Sequence, residues 1–407
     1  MYLLVNALGL LIFLAIGFAF SKDRKAIKWM SIGVMIVVNL FLAWFLTSFS
    51  IGRMMVEAAA AGFNSLVDVA YEGVAFAFPS QINTDSKDWF FSVLMPVLMI
   101  VPLFDILTYI GILPFIIKWI GWAISKITGQ PKFESFFAIE MMFLGNTEAL
   151  AVSTLQLKQM NKERNLTLAM MSMSCVTASI VGAYTQMMPP SYILTAIPIN
   201  VLNALIVTAL MNPVDVPAEE DTIATIGANP ETLDANGKKE PFFSFLGNSI
   251  IGAGKLILII VANVIAFVAL AKLIDNVLGV VHPWLSLEHI LGIIMYPFAW
   301  LLGLPFDDAF KMAQYMGMKL VTNEFVVMQD VTKTIGTSAF TEHFRAVLTT
   351  FVMSFANFST VGMIIGCFKG IVDDEKNDYI SKNVLYLLVS GILVSLLSAA
   401  MVGLFSW

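Results

Sequence analysis

Charged side chains are scarce in this sequence of 407 residues. Only 23 residues are Lys or Arg and 29 are Asp or Glu, so charged residues make up 13% of the chain, against about 25% in soluble domains. This composition excludes a water-soluble globular protein. The net charge of −6 and the lack of any long basic run also leave no surface that would bind nucleic acid.

Motifs for catalysis and metal binding are absent as well. The two cysteines, Cys175 and Cys367, lie in apolar segments without metal-ligand spacing, which predicts neither a disulfide framework nor a zinc site. The three histidines form no HExxH or Ser/His/Asp arrangement, and no glycine-rich phosphate loop is present. We therefore expect no cofactor, no certain metal site and no enzymatic activity.

Long apolar runs dominate the sequence instead. Hydrophobic residues make up 58% of the chain, with a mean hydropathy of +0.83, and many runs have the ~20 residues that a helix needs to cross a bilayer. We predict an all-α polytopic membrane protein. Its eight transmembrane helices are expected at about 2–20, 27–48, 89–111, 166–188, 191–211, 246–275, 344–368 and 383–405. Stretches at 51–79 and 113–128 predict helices that lie along the membrane interface.

Two further apolar segments are interrupted by polar residues. Segment 133–157 carries Gly-Asn-Thr-Glu at 145–148, and basic residues on both flanks place its two ends in the cytoplasm. A re-entrant hairpin satisfies this requirement, whereas a single span does not. A Gly-x-Pro start and a polar tip recur about 174 residues later, at 303–310 and 322–325. This internal repeat predicts a second hairpin.

The basic residues also predict the topology and the domains. Four of them follow the first apolar run, which makes that run a membrane helix with its C-terminal end in the cytoplasm rather than a cleaved signal. Both termini are then outside and the two repeats have inverted topology, as is typical of secondary transporters. We expect scaffold helices in 1–111, a first transport repeat in 112–211, a polar linker and scaffold helix in 212–280, and a second transport repeat in 281–407.

The hairpin tips and the seventh predicted helix carry the candidate solute-binding residues. Glu148 and Glu324 lie at the tips, where a carboxylate in hydrocarbon costs ~3 kcal/mol or more unless it faces polar groups. Asn146, Thr147 and Asn323 supply hydrogen-bond donors and acceptors beside them. The run from Phe355 through Asn357 to Thr360 interrupts an apolar helix, and here solute contact and helix–helix hydrogen bonding are equally open.

Taken together, the tips GNTEAL and TNEFV, the run SFANFSTVG and the Gly-x-Pro hairpin starts resemble the concentrative nucleoside transporter family over nearly the whole chain. The resemblance implies an elevator-type homotrimer in the cell membrane that takes up nucleosides by cation symport. It implies that the first hairpin reads the nucleobase and that Glu324, Asn357 and Thr360 hold the ribose hydroxyls. Asn146 departs from the family's usual Gln by one methylene, so its direct contact with the base stays open, and Thr360 replaces a Ser.

The coupling cation is predicted from another position at which this sequence differs from the family pattern. The family's sodium-binding members have an Asn seven residues before the first-tip Glu, and here that residue is Met141, whose thioether is a poor ligand for a hard cation. The remaining candidates for a cation site are backbone carbonyls near Leu144 and the side chains of Ser174 and Cys175. Proton coupling requires a buried carboxyl, which Glu140, Glu148 or Glu324 supplies. We predict proton coupling rather than sodium coupling.

Two alternatives remain at this stage. An inverted-repeat carrier for another polar solute, such as a dicarboxylate, would require positively charged sites, yet both tips carry Glu. A membrane-embedded enzyme would require a nucleophile and a base, for which no motif is present. Purine versus pyrimidine preference is open.

Overall fold

The computed structural model describes residues 1–82, 88–223 and 240–407. Residues 83–87, and residues 224–239 of the predicted polar linker, fall outside these ranges. Within them the chain is helical, with short 3₁₀ and π segments and no strand. The helices are α1 (Tyr2–Ala19), α2 (Trp29–Thr47), α3 (Ser50–Ala77), α4 (Pro79–Ile82), α5 (Val97–Tyr109), α6 (Ile112–Thr128), α7 (Lys132–Leu144), α8 (Asn146–Val152), α9 (Thr154–Gln159), α10 (Lys162–Ser172), α11 (Val181–Tyr184), α12 (Pro190–Met211), α13 (Phe242–Val281), α14 (Leu287–Trp300), α15 (Phe306–Val321), α16 (Glu324–Val331), α17 (Glu342–Val352), α18 (Phe358–Ile371), α19 (Asp374–Lys382) and α20 (Val384–Gly403).

Six spans in the described ranges are continuous helices long and apolar enough to cross a bilayer. They are α1, α2, α5 with the π turn before it, α12, α13 and α20. Of these, α12 and α20 are mostly buried and pack against each other, whereas α13 exposes most of its apolar surface. The core of the molecule therefore lies around α12 and α20.

Two of the eight predicted spans are not continuous helices, which corrects the expectation for 166–188 and 344–368. The first is divided into α10, non-helical residues at 173–177, a 3₁₀ turn (Ala178–Ile180) and α11, and the second into α17 and α18. Each break has a local cause: the Thr177 hydroxyl accepts from the backbone N–H of Ser179 at 3.4 Å, and the Asn357 side chain accepts from that of Thr360 at 2.8 Å. Both side chains cap the start of a new helical segment.

Both predicted hairpins are present. In the first, α7 is followed by α8 and α9, and the chain turns at Gly145 with φ +98°, a backbone conformation that side-chain-bearing residues rarely adopt. In the second, α15 is followed by α16, whose N-cap Asn323 is extended and accepts from the backbone N–H of Val326 at 3.1 Å. The two tips are polar turns between apolar helices, as the sequence predicted.

The two broken spans correspond residue by residue. Ser174 and Ser354 follow a Met in each break, and three residues later Thr177 and Asn357 cap the next helical segment. Each capping residue also contacts its own hairpin, because Thr177 donates to the carbonyl of Phe143 at 3.2 Å and Asn357 donates to Glu324 at 3.5 Å. The repeat seen in the sequence therefore extends to the geometry of the breaks.

A buried ion pair holds the first hairpin at its base. The Arg164 guanidinium on α10 donates Nε to Glu134 Oε1 at 2.7 Å and Nη2 to Oε2 at 2.9 Å. Both side chains are almost fully buried, and removing one partner of such a pair costs about 3–5 kcal/mol. This bidentate contact joins α7 to α10 and orients the hairpin toward the breaks.

Candidate functional site

A cavity of about 410 Å³ lies where the two hairpin tips meet the two broken spans. All eight predicted substrate-binding residues line it. They are Asn146, Thr147, Glu148, Asn323, Glu324, Phe355, Asn357 and Thr360. The structure thus brings together, in one space, residues from both repeats that are far apart in the sequence.

The second repeat contributes a connected polar network to this cavity. The Glu324 side chain is 3% exposed; its Oε1 accepts from the Tyr184 hydroxyl at 3.0 Å and its Oε2 from Asn357 Nδ2 at 3.5 Å. Asn357 Oδ1 accepts from both the backbone N–H and the hydroxyl of Thr360, at 2.8 and 3.0 Å. Because the Asn357 oxygen is occupied, its amide N–H groups are the ones directed toward Glu324 and the cavity. The network presents one carboxylate and one amide donor in fixed positions.

The first repeat contributes polar side chains that have fewer hydrogen-bond partners within the described residues. Glu148 Oε2 accepts from the Thr147 hydroxyl at 2.7 Å. Asn146 is 4% exposed, and neither atom of its amide has a hydrogen-bond partner among the described residues. Leaving such a buried amide unsatisfied costs about 1–3 kcal/mol. Asn146 is therefore suited to bind a polar edge of a solute.

One wall of the cavity comes from α5 and α13. Asp105 on α5 accepts a hydrogen bond from Ser249 on α13, and Glu240 accepts from Asn248 Nδ2 at 2.9 Å. The cavity thus has four carboxylates in its lining, those of Asp105, Glu148, Glu240 and Glu324, and none of the described residues that line it is Lys or Arg. Such a cavity disfavours an anionic solute and suits a neutral one that donates hydrogen bonds.

The predicted cation-coupling residues lie mostly behind this cavity. Leu144 lines it, whereas Met141, Ser174, Cys175 and Glu140 do not. Met141 and Cys175 are buried, Ser174 donates to the carbonyl of Met170 at 3.4 Å, and Glu140 Oε2 accepts from Ser153 at 2.9 Å. In the described ranges no group of three His, Cys, Asp or Glu side chains is arranged to hold a metal ion. A cation role for these residues stays a prediction.

Two residues of the site, Tyr184 and Asp105, were not predicted from the sequence. Tyr184 is fully buried and donates to Glu324 across 140 positions of sequence, but it stands in an apolar segment with nothing that distinguishes it locally. Asp105 accepts a hydrogen bond from Ser249 and also lines the cavity. No pattern in a single sequence reports either contact.

Comparison with known proteins decides the family. Three family models cover the chain in succession: "Na+ dependent nucleoside transporter N-terminus" at 8–81, "Nucleoside recognition" at 90–191 and "Na+ dependent nucleoside transporter C-terminus" at 192–403. The chain belongs to the concentrative nucleoside transporter family. It is a multi-pass membrane transporter of nucleosides and not an enzyme, so the dicarboxylate and enzyme alternatives are wrong.

Relatives and solved structures agree with this family. The purine nucleoside transport protein NupG of Bacillus subtilis is 48% identical over the full length of both chains. Human solute carrier family 28 member 3 is 25% identical over 99% of this chain and 60% of its own. CNTnw in an inward-facing substrate-bound state matches with a TM-score of 0.89 at 25% identity, over 100% of this chain and 98% of its own. A double variant of CNTnw in an outward-facing state matches with a TM-score of 0.91 at 24% identity, over 100% and 99%. The all-α fold with two re-entrant hairpins in inverted repeats, of the elevator type, is confirmed.

The hydroxyl of Tyr184 provides a test of this network. Replacing Tyr184 by Phe removes a hydrogen bond to a buried carboxylate, which is worth about 1.5–3 kcal/mol, and we expect the KM for nucleoside uptake into proteoliposomes to rise by roughly tenfold or more. Tyr192→Phe is the matched control, because its hydroxyl donates to Glu342 away from the cavity. A wild-type KM in Tyr184→Phe, at unchanged thermal stability, would show that Tyr184 does not position Glu324.

Proposed function

We propose that this chain imports purine nucleosides across the cell membrane by proton symport. The observation that carries the proposal is the buried network of Glu324, Asn357 and Thr360, which faces a cavity without basic residues in its described lining. A nucleoside is neutral and its ribose donates hydrogen bonds, so it matches the charge and the donor–acceptor pattern of this cavity.

The ribose is proposed to bind at the second repeat. A carboxylate accepts from two vicinal hydroxyls at once, and the Glu324 oxygens have lone pairs beyond those used by Tyr184 and Asn357. The Asn357 amide, beside Glu324, donates its second N–H to a ribose oxygen. Asn323 and Phe355 line the same part of the cavity and are proposed to close it around the sugar.

The nucleobase is proposed to bind at the first repeat, between Asn146, Thr147 and Glu148. The two unpartnered atoms of Asn146 match an edge that both donates and accepts. The shorter side chain leaves more room than a Gln would, which suits a two-ring base. The Bacillus subtilis relative with 48% identity is named a purine nucleoside transport protein, and this supports the purine assignment.

The domain arrangement and the assembly are part of the proposal. We place the scaffold in 1–111 and 212–280 and the mobile transport repeats in 112–211 and 281–407, with both termini outside. The largely exposed apolar surface of α13 supports a homotrimer in which the scaffold helices meet. The Glu324–Asn357 and Phe143–Thr177 contacts join each hairpin to its own broken span, so that the transport repeats move as units.

Protons are proposed as the coupling ion, although the family models carry a sodium-dependent description. Met141 is fully buried beside Glu140, and a thioether at this position weakens any sodium site. Of the three candidate carboxyls, Glu140 lies outside the cavity, within the first hairpin and against Ser153. It can therefore bind a proton without competing with the nucleoside.

Counterflow in proteoliposomes tests the function. Vesicles loaded with inosine are expected to accumulate labelled inosine. Guanosine and adenosine should reduce this accumulation by competing with inosine, whereas succinate should have no effect. Glu324→Gln should raise the KM by about tenfold or more, since it leaves buried polar groups unpaired. Glu375→Gln, which changes an exposed carboxylate paired with Lys162, is the control.

The sugar preference tests the ribose assignment. The wild type should prefer ribonucleosides to 2′-deoxyribonucleosides, and this preference should shrink in Glu324→Gln. An equal preference in both proteins would refute the ribose assignment.

The side-chain length at Asn146 tests base recognition. Asn146→Gln adds one methylene in the proposed base pocket, which is worth about 1–3 kcal/mol of discrimination, and we expect inosine to lose at least about tenfold in competition relative to uridine. Asn263→Gln, which lengthens a cavity-lining residue on α13, should leave the ratio unchanged. If the ratio is the same in Asn146→Gln and wild type, the base does not bind beside Asn146.

An imposed pH gradient tests the coupling. Uptake should follow an inward proton gradient and persist when choline replaces sodium. Glu140→Gln should lose gradient-driven accumulation and keep counterflow, because exchange needs no net proton release. Strict dependence on sodium at fixed pH would overturn proton coupling and leave the nucleoside assignment intact.

A further inference from the structure

One lysine is completely buried inside the transport domain. Lys319 lies on α15 of the second hairpin, five residues before Glu324, and has no exposed surface. None of the ion pairs within 4.0 Å in the described ranges includes it. A buried ammonium is costly unless other polar groups replace its hydration. The atoms around Lys319 therefore decide its role.

Three oxygen atoms surround the ammonium. Lys319 Nζ donates to the carbonyl of Phe351 at 2.6 Å, to Ser354 Oγ at 2.7 Å and to Ser395 Oγ at 3.4 Å. An ammonium has three N–H donors and no acceptor, so each donor has one oxygen. All three ligands are fully or almost fully buried.

The two serines are arranged so that they offer lone pairs to the ammonium. Ser395 donates its proton to the carbonyl of Gly391 at 2.9 Å, and Ser354 and Ser395 lie 2.6 Å apart. Because the Ser395 proton is used by Gly391, Ser354 is the donor to Ser395. Both hydroxyls then face Lys319 as acceptors. The oxygens thus form a small shell that is matched to a monovalent cation.

The carbonyl of Phe351 belongs to the last turn of α17, directly before the break. The final carbonyls of a helix lack hydrogen-bond partners within the helix and form the negative end of the helix dipole. A cation at this place satisfies the carbonyl and offsets the dipole. Three residues after Ser354 comes Asn357, which contacts Glu324. Lys319 is therefore tied to both sides of the Glu324–Asn357 contact: to Glu324 through its own hairpin and to Asn357 through the break.

The first repeat has the same break without this cation. Ser174 occupies the place of Ser354, and its hydroxyl donates to the carbonyl of Met170. Phe143 stands five residues before Glu148, as Lys319 stands five residues before Glu324. Among the described residues, a side-chain cation is thus present at the second break and not at the first.

We propose that Lys319 is a tethered cation that holds the second break closed around its three oxygen ligands and so positions Glu324 and Asn357 for the solute. It is a positioning residue, since it does not line the cavity. The choice of nucleoside as the assayed solute rests on the function proposed above. The proposal has a chemical consequence: once the side chain is removed, the oxygen shell remains and binds a free small cation instead.

The test uses Lys319→Met, Lys319→Ala and the control Lys311→Met in the full-length protein. Lys311 is on the same helix, but its ammonium lies over the ring of Phe340 and its side chain is exposed. In inosine counterflow, Lys319→Met, which keeps the length of the side chain, should raise the KM by about tenfold with a smaller change in kcat. Lys319→Ala should show the same defect in choline buffer and recover when methylammonium or sodium is added. Lys311→Met and the wild type should not respond to these cations.

Thermal stability of the purified variants provides a readout without a nucleoside. Methylammonium should raise the Tm of Lys319→Ala and leave that of Lys319→Met unchanged, because methionine fills the space. A wild-type KM in Lys319→Met would overturn the proposal. It would also be overturned if Lys319→Ala is folded and neither its KM nor its Tm changes when methylammonium or sodium is added. Counterflow by the wild type, run in parallel, reports on the proposed function by itself, so failure of that function is distinguishable from failure of the tethered cation.

Discussion

The structure depends on one constraint: backbone N–H and C=O groups at membrane depth must find partners within the protein. Two spans are broken and two hairpins turn back, and each of these places leaves helix ends without intrahelical partners. The side chains of Thr177, Asn323 and Asn357 cap the N-termini of the helical segments that follow them. Asn200 donates to the carbonyl of Met353, and Lys319 donates to that of Phe351. The polar residues that satisfy the broken backbone are therefore the ones that build the cavity and its support.

The distribution of charge follows from the same constraint. Arg164 and Glu134 neutralise each other at the base of the first hairpin, and Lys319 is enclosed by neutral oxygens behind the second. No basic side chain is left among the described residues that line the cavity, which has carboxylates on both repeats and on α5. Carboxylates and amides without a cation bind hydroxyl and amino groups better than they bind anions. The chemistry of the cavity is consistent with the nucleosides that the family transports.

Much of the fold was predictable because it depends on local composition. Apolar runs of sufficient length predicted the continuous spans, and the polar interruptions at 145–148 and 322–325 located both hairpin tips. The breaks in 166–188 and 344–368 were not predicted, because these segments are mostly apolar and the side chains that cap the next helical segments, Thr177 and Asn357, give no distinct signal in the sequence. Tyr184 and Lys319 were missed for a related reason: their partners lie 140 and up to 76 positions away, and single-sequence patterns carry no information on such contacts.

The two repeats are alike in backbone and different in chemistry, and this difference assigns them separate tasks. The second break has Lys319 bonded to three oxygens, and under the proposal above this side chain holds its hairpin in place. In the first repeat, Ser174 donates to a carbonyl of its own span, Met141 is buried and Glu140 accepts from Ser153. Under the proposals above, the second repeat supplies the ribose site, and the first repeat, which contains Glu140, is the one through which the ion gradient acts.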